Sequence, residues 1–224
     1  MEKFIISSTN QGAAWPTKHI SYPIGARFAY LFAKLGFSPN AVSLIGLAVA
    51  LLTVVAVYFL HNNVIAAIII FVGLEVSYII DCADGVLARA MKRTSPFGAL
   101  LDKLCDGLQT LVIPLLLIWI IDCRGEIQSH LTVPLIIIWV ISSSLLTHTI
   151  WFKSIYVEQS TPSEKRKRGF IASTAAILID NPTTRLLMAI AWSLDFYHHF
   201  AAGYALIIFI IFIGYIFKQY RILK

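Results

Sequence analysis

Charge is scarce in this chain. Only 13% of its 224 residues are Asp, Glu, Lys or Arg, whereas 58% are hydrophobic, and the mean hydropathy is +0.77. Soluble domains carry about 25% charged residues, so this composition excludes one and points to an all-α bundle embedded in a bilayer. Cysteine is scarce as well. Cys82, Cys105 and Cys123 are too few and too scattered for a disulfide framework. Cys82 and Cys105 lie beside aspartates but read as small buried packing residues rather than ligands. The first 40 residues are mixed and polar, so no cleavable leader is expected there. No nucleic-acid partner is expected either.

Against that background one stretch stands out, Asp81 to Asp106. It holds four of the chain's 12 acidic residues, Asp81, Asp84, Asp102 and Asp106, together with Gly85, Ala88, Arg89 and Gly98. Positions 81, 84, 85, 88 and 89 share one helical face, and 98, 102 and 106 share another. Ala90 to Phe97, with Lys92, Arg93, Thr94, Ser95 and Pro96, is loop chemistry. Two helices joined this way fold back on each other, which brings 81 near 106 and 85 near 102, and makes the carboxylates converge. Four like charges held close repel strongly unless cations offset them. An all-oxygen donor set selects Mg²⁺, Mn²⁺ or Ca²⁺ over zinc, and paired metals on shared carboxylates suit displacement at phosphorus. Gly85 and Gly98 allow close approach by a helix or ligand. Arg89 offers a forked donor for phosphate.

The pattern D-x2-D-G-x2-A-R-x8-G-x3-D-x3-D, met at every fixed position, resembles the signature of the CDP-alcohol phosphotransferases. The resemblance implies a donor CDP-alcohol, an acceptor alcohol and release of CMP. It implies two divalent cations, Mg²⁺ or Mn²⁺, held by Asp81, Asp84, Asp102 and Asp106, with Asp106 also acting as general base. Gly85, Ala88 and Gly98 would let cytidine and diphosphate lie close to the backbone alongside Asp84, and Arg89 would bind phosphate. It further implies membrane lipid as a substrate partner and a homodimer.

The rest of the chain fits a six-span layout. Residues 1–40 form an N-terminal cytoplasmic and interfacial segment in which Ile24 to Phe37 is amphipathic and suited to the membrane surface. Residues 41–224 form the six-helix transmembrane catalytic domain. Ser38 is placed as an N-cap and Pro39 in the first turn. The spans run at about Ala41–Leu60, Val64–Arg89, Phe97–Ile121, Leu131–Phe152, Pro182–Tyr197 and Ala201–Phe217, near the roughly 20 residues a hydrocarbon core requires. Phe170 to Asp180 is apolar but short, either an interfacial helix or an early part of the fifth span. Fifteen of the 18 Lys and Arg residues fall before span one, in the second and fourth connections, and in the tail. The positive-inside rule therefore puts both termini and the motif on the cytoplasmic side of a multi-pass protein.

Other polar residues have blander readings. Glu75 lies about 120° round the helix from Asp81 and is expected to hydrogen-bond a neighbouring span. Lys103 follows Asp102 directly and is expected to point away from it. His148 reads as an interhelical histidine. The run Lys165 to Arg168 reads as solvated positive-inside charge. For the acceptor, similar enzymes that use inositol phosphate carry Glu-Arg-x-x-Arg-Leu at the start of span five. Here Asn181-Pro182-Thr183-Thr184-Arg185-Leu186 keeps the second arginine and replaces the first with Pro182. Arg185 and Lys153 are the acceptor-side candidates. The reading is phosphatidyl transfer from CDP-diacylglycerol to a small soluble alcohol. Its alternatives are transfer of a CDP-linked head group to a lipid hydroxyl, and, from another class, a cation transporter.

Overall fold

The computed structural model describes residues 1–8, 14–123, 134, 137–138, 141, 145, 181–194 and 196–223. All regular structure among them is helical: α1 (Glu2–Ser7), a π-helical turn (Thr17–Ser21), α2 (Tyr22–Lys34), α3 (Pro39–Phe59), α4 (Asn63–Ala90), α5 (Pro96–Cys123), α6 (Asn181–Ser193) and α7 (Tyr197–Leu223). The chain divides into two units, residues 1–109 with 170–195 and residues 110–169 with 196–224. The first unit contains the whole motif.

Local chemistry sets the helix ends. Ser38 caps α3 as expected, its hydroxyl accepting from the Ala41 N–H at 3.2 Å, with Pro39 at the first position. Asn62 caps α4 by accepting from the Ile65 N–H at 3.0 Å. Ser95 does the same for α5, accepting from the Gly98 N–H at 2.9 Å. At the other ends, α2 and α4 close with the same pair of bonds. Gly36 N–H reaches Ala33 O and Phe37 N–H reaches Phe32 O; Lys92 N–H reaches Arg89 O and Arg93 N–H reaches Ala88 O. Each is a Schellman closure whose pivot takes a positive φ, 77° at Gly36 and 54° at Lys92.

In the first unit α2, α3 and α6 all pack on α4. The core beside the motif joins Phe4, Ala26, Ala29, Val42, Ile80, Ala83, Val86 and Leu87. Small residues set the approach, as is usual where helices meet in lipid. A Cβ added to Gly25 would lie 3.2 Å from Ile79 O, and one added to Gly46 3.3 Å from Ser77 O, so α2 and α3 cross α4 at their glycines. The Ser77 hydroxyl ties the Gly46 carbonyl to Gln109 across the same crossing. In the second unit, Ile113, Leu117 and Ile120 of α5 and Tyr204 and Ile208 of α7 are buried.

α3 and α4 are long and apolar enough to cross a membrane. The expected first span starts two residues earlier, at Pro39, and the expected second ends at Ala90. The amphipathic segment forms α2, two to three residues upstream of its expected bounds. The fourth span, His148, Lys153, the Lys165–Arg168 run and residues 170–180 lie outside the described residues, apart from five isolated positions in span four.

Candidate active site and metal centre

The end of α4 and the start of α5, with Tyr22 of α2 and Pro39, Asn40 and Ser43 of α3, line an open cavity of about 440 Å³ within the first unit. Asp81, Asp84, Gly85, Ala88, Arg89, Gly98, Asp102 and Asp106 all line it. The eight motif positions thus share one space, as their helical spacing predicts.

Three carboxylates converge more tightly than the fourth. One oxygen each from Asp81, Asp102 and Asp106 lies within 4.8 Å of the others. Asp84 stands apart from this triad. It is only 4% exposed, and its Oδ2 accepts from the Ser43 hydroxyl of α3. Asp81 Oδ1 is buried and has no hydrogen-bond partner among the described residues. A buried carboxylate oxygen left in that state is costly. A hard cation would satisfy it together with the oxygens of Asp102 and Asp106, and the all-oxygen set fits Mg²⁺ or Mn²⁺.

Lys103 departs from expectation. Its Nζ lies 2.5 Å from Asp106 Oδ2 and 3.1 Å from Asp102 Oδ2. The long stem lets the ammonium reach one turn ahead along α5 to Asp106 while staying beside Asp102, two carboxylates that attract it. The side chains of Lys103, Asp102 and Asp106 are 31%, 34% and 29% exposed, so the pairing is solvent-screened and weak.

Gly85 and Gly98 are places where a side chain would intrude. A Cβ at Gly85 would sit 3.1 Å from Arg89 Nη1, so the missing side chain leaves room for the guanidinium along the helix. A Cβ at Gly98 would meet Asn40 Oδ1 and Ser95 Oγ, each at 3.1 Å. Cys82 and Cys105 are buried, 8% and 1% exposed, as the packing reading predicts, although Cys82 also touches the cavity.

Arg185 is not among the residues lining the cavity. From α6 it donates to the Leu74 carbonyl and stacks over the Tyr78 ring at 5.0 Å. Tyr78 itself lines the cavity, and the Arg185 charge also acts electrostatically on Asp81 and Asp106 there. Lys153 lies outside the described residues. Glu75 accepts from Ser21 of the π-helical turn at 3.2 Å and interacts electrostatically with Arg185 of α6. Thr17 of the same turn pairs with the Tyr78 hydroxyl at 3.1 Å.

Sequence reasoning missed Ser43 and Tyr78. Ser43 carried a signal, a hydroxyl one turn inside an otherwise apolar span, but nothing in local sequence names its partner 41 residues away.

The family model described as CDP-alcohol phosphatidyltransferase matches residues 37–215. The archaetidylinositol phosphate synthase of Pyrococcus horikoshii is 39% identical over 82 residues, covering 37% of this chain and 41% of that protein. The chain therefore spans about two-fifths of the length of the curated relative it matches.

Proposed function

This chain belongs to the CDP-alcohol phosphatidyltransferase family, a family of phosphotransferase enzymes, and on that premise we propose that it moves a phosphatidyl group from a CDP-linked lipid to the hydroxyl of a small water-soluble alcohol. The new bond joins the acceptor oxygen to phosphorus. The bond from that phosphorus to CMP breaks, and the acceptor proton passes to the protein. The observation that carries the reading is the convergence of the Asp81, Asp102 and Asp106 oxygens within 4.8 Å, in a cavity that Arg89 also lines.

Asp81, Asp102 and Asp106 would hold divalent cation, with Asp84 completing a two-ion set. Bound there, such ions neutralise the diphosphate and stabilise the departing CMP. Asp106 takes the proton of the acceptor hydroxyl, which requires only hydrogen-bond reach. Arg89 grips a phosphate oxygen through its fork. Gly85, Ala88 and Gly98 keep the wall low enough for the nucleotide to lie along the helices. Ser43 fixes the orientation of Asp84.

The relative's name makes an inositol phosphate the first acceptor to try. Against a strongly acidic acceptor stand Pro182, where similar enzymes carry arginine, and the engagement of Arg185 with Leu74 and Tyr78. The same proposal includes six spans, both termini and the site on the cytoplasmic side, α2 at the membrane surface, and a homodimer.

The test is CMP release by the full chain in detergent, with CDP-diacylglycerol, Mg²⁺ or Mn²⁺, and glycerol 3-phosphate, inositol phosphate, inositol, serine or a lipid alcohol as acceptor. Release with a soluble acceptor supports the proposal and names the product. Release only from CDP-choline or CDP-ethanolamine with a lipid alcohol reverses donor and acceptor. Absence of CMP in every combination overturns the enzyme reading, and cation flux in reconstituted vesicles would then replace it.

A further inference from the structure

Arg89 is held from two sides. Its Nη1 and Nη2 lie against Gly85, 3.1 and 3.7 Å from where a Cβ would stand. Its Nε donates to the backbone carbonyl of Ser7 at 3.0 Å. Ser7 ends α1, a short helix far from the motif in sequence and upstream of the family-matched residues 37–215. A six-residue helix has little stability of its own, so something must hold it in place. Phe4 does: it is 2% exposed, sits in the core with Ala83, Val86 and Leu87, and meets the Tyr30 ring edge-on at 5.7 Å. Within α1, the Ser7 hydroxyl bonds Lys3 O at 2.7 Å and Ser8 closes on Ile5 O at 2.6 Å. The carbonyl that receives Arg89 therefore belongs to an anchored turn.

An arginine has five N–H donors. With Nε engaged by Ser7, the fork of Nη1 and Nη2 keeps its donors for a ligand in the cavity, and the side chain loses less rotamer freedom when it binds. A free arginine on a helix surface would swing away into solvent.

We infer that α1 is a positioning element of the nucleotide site: anchored by Phe4, it holds Arg89 through the Ser7 carbonyl so that the guanidinium meets a phosphate of the bound nucleoside diphosphate. This rests on the proposed nucleotide-binding function of the cavity. Ser7 and Phe4 touch no substrate; they act through Arg89.

The experiment is a binding titration of the full chain in detergent with CDP and Mg²⁺, in a two-by-two cycle. One axis is deletion of residues 2–8 or the gentler Phe4→Ala; the other is Arg89→Ala. Thermal unfolding of each variant is read in parallel. With Arg89 present, loosening α1 weakens CDP binding by about fivefold, the scale of one typical net hydrogen bond. With Arg89→Ala in place, the same changes have no further effect on affinity, although any loss of thermal stability persists. Equal weakening in both backgrounds, or none in either, overturns the inference; should the deletion fail to fold, Phe4→Ala decides it alone. Failure of the unaltered chain to bind CDP would instead remove the nucleotide reading on which the inference stands.

Discussion

α4 and α5 each supply two aspartates to the same cavity, and they hold them by different means. On α4, Asp84 is buried and tied to a neutral hydroxyl, that of Ser43, while Asp81 keeps a buried oxygen with no hydrogen-bond partner among the described residues. On α5, Asp102 and Asp106 remain about one-third exposed and share the ammonium of Lys103. A hydroxyl fixes a carboxylate's orientation but leaves its charge. A lysine offsets charge, yet on a flexible, solvated stem it yields readily. Asp84 of α4 is thus set rigidly in advance, and the α5 pair is compensated provisionally. Such a division suits a site that must accept cations and nucleotide and then let product leave.

The harshest way to break this comparison is to remove an acidic group outright. Asp106→Asn keeps the shape of the α5 side but removes its capacity to take a proton, and CMP release should fall by about 10²- to 10⁴-fold. Steady-state CMP release at saturating Mg²⁺ measures it; a fall below tenfold would place the base elsewhere. Next in size is the supporting hydroxyl. Ser43→Ala strands Asp84 Oδ2 in a buried setting and should cost about 1–3 kcal/mol of stability, with Ser43→Thr recovering most of it. The matched change on α5, Lys103→Gln, should cost less than about 1 kcal/mol, because that pair is screened by solvent. Unfolding of the three variants in one detergent compares the two helices directly, and equal costs would erase the distinction drawn between them.

Lys103 also gives a smaller and more specific expectation. If its ammonium occupies part of the space a divalent cation would take, Lys103→Gln should tighten Mn²⁺ binding to the nucleotide-free chain. The effect should be about fivefold, given roughly 1 kcal/mol for one charge at contact distance in a water-like medium, and should shrink as salt rises. Weaker Mn²⁺ binding in the variant would mean that Lys103 organises the carboxylates rather than competing for them.

The spacing of Asp81 to Arg89 and of Gly98 to Asp106 was enough to place the motif around one cavity, because helical periodicity fixes which positions share a face. Ser38 and Pro39 marked a helix start for an equally local reason, whereas Ser95, read as loop, also caps a helix. What stayed illegible depends on distant partners. Ser43 is a hydroxyl inside an apolar span, but no local pattern shows that Asp84 receives it. Periodicity turns Lys103 about 100° away from Asp102 on the helix wheel, but does not give the path of a long stem drawn by charge. Arg185 was readable as an arginine at a helix start, yet its targets, the Leu74 carbonyl and the Tyr78 ring, are set by how α6 packs on α4. The tether of Arg89 to Ser7 spans 82 residues, and no pattern in either segment announces it.

The smallest expected effect concerns the turn that joins the two acidic helices. α2 and α4 end in the same Schellman bonds, one pivoting on Gly36 and the other on Lys92. At φ 54° a lysine Cβ crowds its own backbone, a strain of about 1–2 kcal/mol that glycine escapes. Glycine in turn loses more chain entropy on folding, about 0.4–1 kcal/mol. The strain exceeds the entropy by a narrow margin, so Lys92→Gly should stabilise the protein by roughly 0.5 kcal/mol, while Gly36→Ala should destabilise it by about 1 kcal/mol. Opposite signs in paired unfolding measurements would show that both turns obey the same backbone rule. A loss of stability in Lys92→Gly would mean that the Lys92 side chain, and not only its φ, helps fix the register in which α4 and α5 present their carboxylates.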